Sequence, residues 1–341
     1  MHPKLKPLKD QTIVITGASS GIGLATAQAA AKRGANVVLV ARNEAVMDRI
    51  AQEINAKGGH AMVVAADVAD AEAIEQAAHA AVQRFGGIDT WVNDAGVGIV
   101  GRLEETTTED AKRLFDTNFW GMVNGCASAL RRMKEKGGAI INVGSVESDV
   151  AVPLQGIYAA SKHALKGYTE ALRIELADEG VPISVTLIKP SAINTPFMHH
   201  AKNYTESEPK LPPPVYPPEE VAYAILHAAE HPRRDIIVGS GGRMMSSMNF
   251  HVPKVMDKVN EKVILRQQSR DEPPRQPLGT LYQTGSEGII VGDEPSRKPG
   301  PSLYTRATLN PLATGAFVVA AGLVTAIFVG RDTIKDRIKL L

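Results

Sequence analysis

The sequence predicts an α/β chain: a doubly wound parallel sheet of about seven strands with helices on both faces, a C-terminal helical and irregular extension, and a terminal hydrophobic helix. Three observations predict it. Short β-branched runs alternate with Ala-rich stretches of helical length from Gln11 to about Gly239. Those runs are apolar throughout instead of alternating, as strands covered on both faces are. The first run passes directly into a glycine-rich turn and then a helix.

The strand candidates, in order, are Ile13–Ile15, Val37–Val40, Met62–Val64, Trp91–Val92, Ile140–Val143, Ile183–Ile188 and Ile236–Val238. Their spacing leaves a helical crossover between neighbours, and such crossovers are right-handed. Leu24 to Lys32 reads as the first helix, ended by Gly34. Beyond Gly239 the texture changes. Met244, Met248, Val255, Met256, Val259 and Val263 recur at helical spacing, interrupted by Pro253, which predicts one or two amphipathic helices. Asp271 to Pro301 is rich in Pro, Gly and charge and reads as a linker or as an extended arm on the surface.

No charged residue lies between Arg306 and Arg331, and Leu312 to Val329 is almost wholly apolar. Roughly 20 helical residues cross a bilayer core, so this run reads as a membrane span, the alternative being a helix buried in an interface. Arg306 precedes it, and Arg331, Lys335, Arg337 and Lys339 follow, so charge leaves its orientation open. The N-terminal apolar run is too short for a signal-peptide core. The predicted organisation is a catalytic domain over 1–240, a helical then Pro-rich extension over 241–308, a transmembrane helix over 309–330 and a basic tail over 331–341.

Composition narrows the function. The 341 residues carry 38 Lys+Arg and 37 Asp+Glu, a formal charge of +1, which gives no global electrostatic reason to bind nucleic acid. Cys126 is the single cysteine, so no disulfide framework or thiolate metal site forms within the chain. His199-His200 lacks a supporting carboxylate or Cys cluster and is not read as a metal site. Cys126 falls in a helical stretch and reads as packing.

The glycine-rich turn reads Thr16-Gly17-Ala18-Ser19-Ser20-Gly21-Ile22-Gly23. Glycine there lets backbone approach a pyrophosphate, and the following helix N-terminus offers free N–H groups to the anion. At the end of the second strand a carboxylate would hold a ribose 2′-hydroxyl, but the sequence has Ala41 and Arg42. A guanidinium suits a 2′-phosphate, so Arg42 argues for NADP(H) over NAD(H).

Tyr158 and Lys162, four residues apart in Tyr158-Ala159-Ala160-Ser161-Lys162, share one helix face. With the glycine turn, this motif resembles the classical short-chain dehydrogenase/reductase family, over roughly Leu8 to Gly239, and its Rossmann-type sheet. Further matches occur in order. Asp67-Val68 ends the third strand, where the family contacts adenine. Asn93-Asp94-Ala95-Gly96 resembles NNAG, with Asp94 in place of the second Asn. Asn118 follows Thr117, Ser145 lies thirteen positions before Tyr158, and Pro190-Ser191-Ala192-Ile193-Asn194-Thr195 resembles PGxxxT, with Ser191 in place of Gly.

The resemblance implies a catalytic set of Asn118, Ser145, Tyr158 and Lys162. It implies cofactor contacts at Gly17, Ser19, Ser20, Gly21, Ile22, Gly23, Arg42, Asp67, Val68, Asn93, Ala95, Gly96, Tyr158, Lys162, Pro190, Ile193 and Thr195. A phenol of ordinary pKa near 10 exchanges protons poorly at neutral pH, and a nearby ammonium and an oxidised nicotinamide both favour its ionisation. Ser145 would hydrogen-bond the substrate carbonyl. By the family's pattern Lys162 also holds the nicotinamide ribose, Asn118 holds a water that relays protons to Lys162, and dimers or tetramers are usual.

Pro196 to Pro218 falls where the family places its substrate loop and reads as a proline-stiffened lid. Phe197, Met198, Leu211, Val215 and Tyr216 within it suggest an apolar substrate. The expected protein is therefore an NADP(H)-dependent oxidoreductase acting on a small-molecule carbonyl/alcohol pair, with its catalytic domain cytoplasmic and its C-terminus in a membrane. The alternative is an idle nucleotide-binding scaffold at a membrane, against which the intact Ser145–Tyr158–Lys162 set argues.

Overall fold

A computed structural model describes residues 3–285, 288–293, 300–311 and 314–315. Seven parallel strands form one sheet: β1 (Thr12–Thr16), β2 (Asn36–Ala41), β3 (His60–Ala65), β4 (Thr90–Asn93), β5 (Gly138–Val143), β6 (Ile183–Pro190) and β7 (Asp235–Val238). Their order is β7-β6-β5-β4-β1-β2-β3. Each predicted run lies inside one of these strands. The chain reverses its winding between β1 and β4, and open α/β sheets place their ligand crevice at that switch point, beyond the strand C-termini.

Burial explains the apolar runs. Val37, Val38, Leu39 and Val40 of β2 are all fully buried. Ile13 and Ile15 pack on one face with Ala27, Ala30, Met47, Ile50 and Val221, while Val14 packs on the other with Ile74, Ala77, Cys126, Met133 and Leu172. The first face is covered by helices α1 (Gly21–Lys32), α2 (Glu44–Ala56) and Pro218–Glu230, the second by α3 (Ala71–Phe85), α5 (Gly121–Met133) and α6 (Gly156–Asp178). Asn43 caps α2 through the Val46 N–H, and Asp70 caps α3 through the Glu72 and Ala73 N–H groups.

Helix α4 (Thr108–Phe115) runs into α5 through one π-turn, Asp116–Trp120. Such turns interrupt a helix at functional positions, and this one carries Asn118. Beyond β7, helices Ser240–His251 and Pro253–Val259 meet at Pro253.

Among the described residues, the extension packs back on the body. Helix Leu303–Leu309 returns to the first face of the sheet, burying Leu309, and Arg306 pairs with Glu220 at 2.6 Å while lying 4.0 Å from the Tyr223 ring centre. Among the described residues no helix is long and apolar enough to cross a membrane. The predicted span Leu312–Val329 lies outside the described residues, apart from Thr314 and Gly315.

Candidate active site

One cleft opens at the C-terminal ends of the strands. The turns after β1 (Gly17, Ser19, Ser20, Gly21, Ile22), β2 (Arg42, Asn43), β3 (Asp67, Val68), β4 (Asp94, Ala95, Gly96), β5 (Ser145, Val146, Glu147) and β6 (Pro190, Ser191, Ile193, Thr195) line it, together with Tyr158 and Lys162. The sheet thus gathers residues from six separate turns.

Two glycines are dictated by close approach. Gly17 has φ +74°, and a Cβ there would come within 2.9 Å of the Ala95 backbone. A Cβ on Gly23 would reach 2.4 Å from the Gly17 carbonyl oxygen. Thr16 ties this turn to the next strand end, its Oγ1 accepting from the Asp94 and Ala95 N–H groups at 3.1 and 3.2 Å. The result is a backbone cradle at the N-terminus of α1, which suits a pyrophosphate. Ser191 takes the place of a glycine without strain, since Leu154 is the single non-glycine residue at positive φ among the described residues.

Tyr158 and Lys162 lie on the first two turns of α6. Lys162 Nζ donates to the Val143 carbonyl at 2.9 Å and sits 5.6 Å from the Tyr158 ring centre. Burial pushes the Lys162 ammonium down to about 8, with Asp94 and Glu147 opposing. The Tyr158 phenol differs from expectation. Burial and the neighbouring Glu147 raise its pKa, Asp94 adds to this, and only the Ser145 hydrogen bond lowers it. With its pKa raised, the phenol holds its proton at neutral pH. Ser145 itself is fixed at the start of a short turn, its Oγ accepting from the Glu147 N–H at 3.1 Å.

Three predicted residues do not line the cleft. Gly23 lies behind the cradle. Asn118 is buried, its Oδ1 accepting from the Val97 N–H at 2.8 Å and its Nδ2 donating to the Val97 carbonyl and Ser161 Oγ. It clamps the segment after β4 to α6. The Asn93 side chain, expected among the cofactor contacts, is engaged elsewhere. Its Oδ1 accepts from Trp91 Nε1 at 2.8 Å and its Nδ2 donates to Asn142 Oδ1 at 2.8 Å and Cys126 Sγ at 3.4 Å. Strand alternation turns that side chain into the core beneath the cleft.

Asp67 pairs with Arg113 at 2.5 Å. Burial would raise its carboxyl, but the Ala69 N–H and Arg113 hold it below the usual range. Asp94 behaves oppositely: burial raises it to about 7, against the Lys162 charge and the Gly23 N–H. Glu147 is buried, Oε2 has no hydrogen-bond partner, and its carboxyl is raised well above the ordinary range. Glu147 was not expected at the site: in Ser145-Val146-Glu147-Ser148-Asp149 nothing in the sequence distinguishes it from its polar neighbours.

The lid residues Phe197, Met198, Leu211 and Pro212–Pro214 form the outer wall. Phe197 packs against Tyr158 at 5.4 Å between ring centres. Two short parallel ladders, Ala192–Ile193 with Val215–Tyr216 and Ile99–Val100 with Lys202–Asn203, order this loop.

The irregular arm was expected on the surface, and it lies across the mouth of this cleft. Arg42 Nη2 donates to the carbonyls of Thr280 (2.7 Å) and Gln283 (2.9 Å), and Nη1 to Leu281 (3.5 Å). Thr280, Thr284, Gly285 and Gly288 line the cleft. No periodicity marks these residues, which is why the sequence placed them nowhere in particular.

The sequence profile described as short chain dehydrogenase matches residues 11–206. The chain belongs to the short-chain dehydrogenase family. An uncharacterized oxidoreductase of Bacillus subtilis, YxnA, is 44% identical over 326 residues, covering 94% of this chain and 91% of that protein. The 3beta-hydroxysteroid dehydrogenase 1 of Eggerthella lenta is 36% identical over 204 residues, covering 59% of this chain and 77% of its own. An alcohol dehydrogenase of Thermococcus sibiricus complexed with 5-hydroxy-NADP superimposes with a TM-score of 0.59 and 27% identity, covering 67% of this chain and 95% of that one. A short-chain dehydrogenase/reductase of Burkholderia phymatum complexed with NAD gives a TM-score of 0.62 and 25% identity, covering 79% and 98%. As a member of this family the protein is an oxidoreductase acting on a CH–OH/C=O pair with a nicotinamide cofactor. That displaces the idle scaffold reading.

Proposed function

We propose that the protein interconverts an apolar ketone and its alcohol with NADP(H), using Tyr158 as general acid and base. The observation that carries this is the convergence of Ser145, Tyr158 and Lys162 on the cleft that begins at the glycine cradle. When bound, the nicotinamide supplies or takes the hydride. The chain's own residues handle the oxygen. Ser145 Oγ–H donates to the carbonyl oxygen, and Tyr158 Oη–H transfers its proton there as negative charge develops. A phenol that holds its proton in the resting site is ready for that role. The Lys162 ammonium stabilises the phenolate left behind. Asn118 keeps the Val97 backbone and α6 in register around the site.

Preference for NADP(H) rests on Arg42, which lines the cleft at the end of β2, where Ala41, Arg42 and Asn43 include no carboxylate. Gly17, Ser19, Ser20, Gly21 and Ile22 would hold the pyrophosphate, Asp67 and Val68 the adenine, and Ala95, Gly96, Pro190, Ile193 and Thr195 the ribose and nicotinamide side. Val146, Val152, Phe197, Met198, Leu211, Met245 and Ile264 give the rest of the cleft an apolar wall, and the Eggerthella relative is named for a steroid. The apolar run 312–329 supports a membrane tether that brings the cleft to a membrane-dissolved substrate. The test is a titration with NADPH and NADH by fluorescence on detergent-extracted protein, followed by NADPH oxidation against paired apolar and polar ketones. Turnover restricted to polar ketones, or tighter NADH binding, would overturn this reading.

A further inference from the structure

We propose that residues 280–285 and 288–293 are an intramolecular occupant of the dinucleotide site, competing with the cofactor for the donors at Gly21 and Arg42. This rests on the cofactor reading above and extends it to the arm.

The first-turn N–H groups of a helix have no partner inside the helix, and those of α1 are the anion donors of this fold. The Gly21 N–H donates instead to the Ile289 carbonyl at 2.9 Å. Arg42 spends both Nη2 hydrogens on the Thr280 and Gln283 carbonyls, and Asn43 Nδ2 donates to the Gly285 carbonyl at 2.7 Å. Three separate donor groups, at the turns after β1 and β2, are thus satisfied by arm carbonyls. Each N–H has one hydrogen to give, so a phosphate can reach the Gly21 N–H or the Arg42 Nη2 only by displacing the arm. It can do so because a charged phosphate oxygen accepts more strongly than a neutral carbonyl.

The arm is held at both ends by ties of its own. Arg113 Nε donates to the Leu281 carbonyl at 3.2 Å, and Tyr282 Oη–H to Asp110 at 2.8 Å. At the other end the Gly292 N–H donates to the Asn194 carbonyl at 3.2 Å, and Asp293 pairs with Arg270 at 3.2 Å as well as with His199 and Arg275. Tyr282 is half exposed, whereas its acceptor Asp110 is buried. The two solved relatives are matched over 95% and 98% of their own lengths but over only 67% and 79% of this chain, so this chain carries segments beyond what they share. The Bacillus relative, matched over 94% of this chain, shares most of the extension.

The experiment is stopped-flow NADPH and NADH binding, by fluorescence, to the full-length wild type, Tyr282→Phe and Asp293→Asn. Tyr282→Phe removes the hydrogen bond to Asp110 and Asp293→Asn removes the charge paired with His199, Arg270 and Arg275, and thermal melting confirms that each variant is folded. Competition predicts that NADPH association quickens and Kd falls by about threefold or more in both variants, the effect of losing one arm hydrogen bond. An unchanged Kd would overturn the proposal, and a raised Kd would make the arm a clamp on bound cofactor instead. Limited proteolysis is the second readout: saturating NADPH should expose 280–293 to cleavage in the wild type, and protection contradicts competition. Failure of every form to bind either cofactor would overturn the cofactor reading itself, whereas binding with no effect of the arm would overturn this inference alone.

Discussion

Arg42 Nη2 donates to the Thr280 carbonyl at 2.7 Å, joining the end of β2 to a segment 238 residues further along the chain. The guanidinium that the sequence offers to a 2′-phosphate therefore already has backbone partners. Its charge remains uncompensated by those neutral carbonyls, and Asp67, the nearest carboxylate acting on it, is paired with Arg113. On the proposed reading, that charge is what discriminates between the two cofactors.

Arg42→Ala should raise the NADPH Kd by about 10- to 100-fold, the loss of a charge-assisted pair worth about 1.5–3 kcal/mol. NADH lacks the 2′-phosphate and should respond only to loosening of the arm. That effect is common to both cofactors, so the ratio of the two Kd values isolates the phosphate contact. An unchanged ratio would remove Arg42 from the specificity argument.

Asp94 gives a pH signature. Its carboxyl titrates at about 7 in the folded chain against 3.8 in the unfolded one. Between those values the folded state binds the extra proton, so stability from this group is full below about pH 4 and is lost as pH rises through 7. Asp94→Asn should be more stable than the wild type at pH 8, by at most about 4 kcal/mol, and the gap should close toward pH 4. Thermal melts at both values check this, and a gap independent of pH would contradict it.

Asn93→Ala should cost about 2–4 kcal/mol of stability, because the Trp91 Nε1–H and Asn142 Oδ1 lose their shared buried partner. NADPH affinity should hardly move. Urea denaturation and a cofactor titration on the same sample separate a core role from a cofactor contact.

Phe197→Ala removes the ring packed on Tyr158 at the lid. An aromatic pair contributes about 0.5–1.5 kcal/mol, so KM for an apolar ketone should rise several-fold while kcat falls less. A loss confined to kcat would make Phe197 a positioning residue for the tyrosine instead of a substrate wall.

The sheet was legible because burial on both faces turns each strand into an apolar run, as Val37 to Val40 illustrate. The glycine turn and the Tyr158–Lys162 pair were legible because local spacing fixes them: Gly17 by its approach to Ala95, the pair by one helical turn. What escaped depends on distant residues. The side chain of Asn93 is decided by Trp91 and Asn142 on neighbouring positions of the core. The ionisation of Tyr158 depends on its burial and on Glu147, not on Lys162 alone. The path of the arm is set by carbonyl–donor pairs spread over more than two hundred residues, which leave no periodic trace.

In the proposed reaction Tyr158 moves the proton. The direct measurement is steady-state NADPH oxidation by wild type and Tyr158→Phe against the same apolar ketone, with NADPH binding measured on each. The substitution deletes one oxygen and keeps the ring against Phe197. If Tyr158 is the general acid, the variant folds, still binds NADPH and has a kcat lower by about 100-fold or more, the scale of a lost general acid. A variant that keeps the wild-type rate would contradict it.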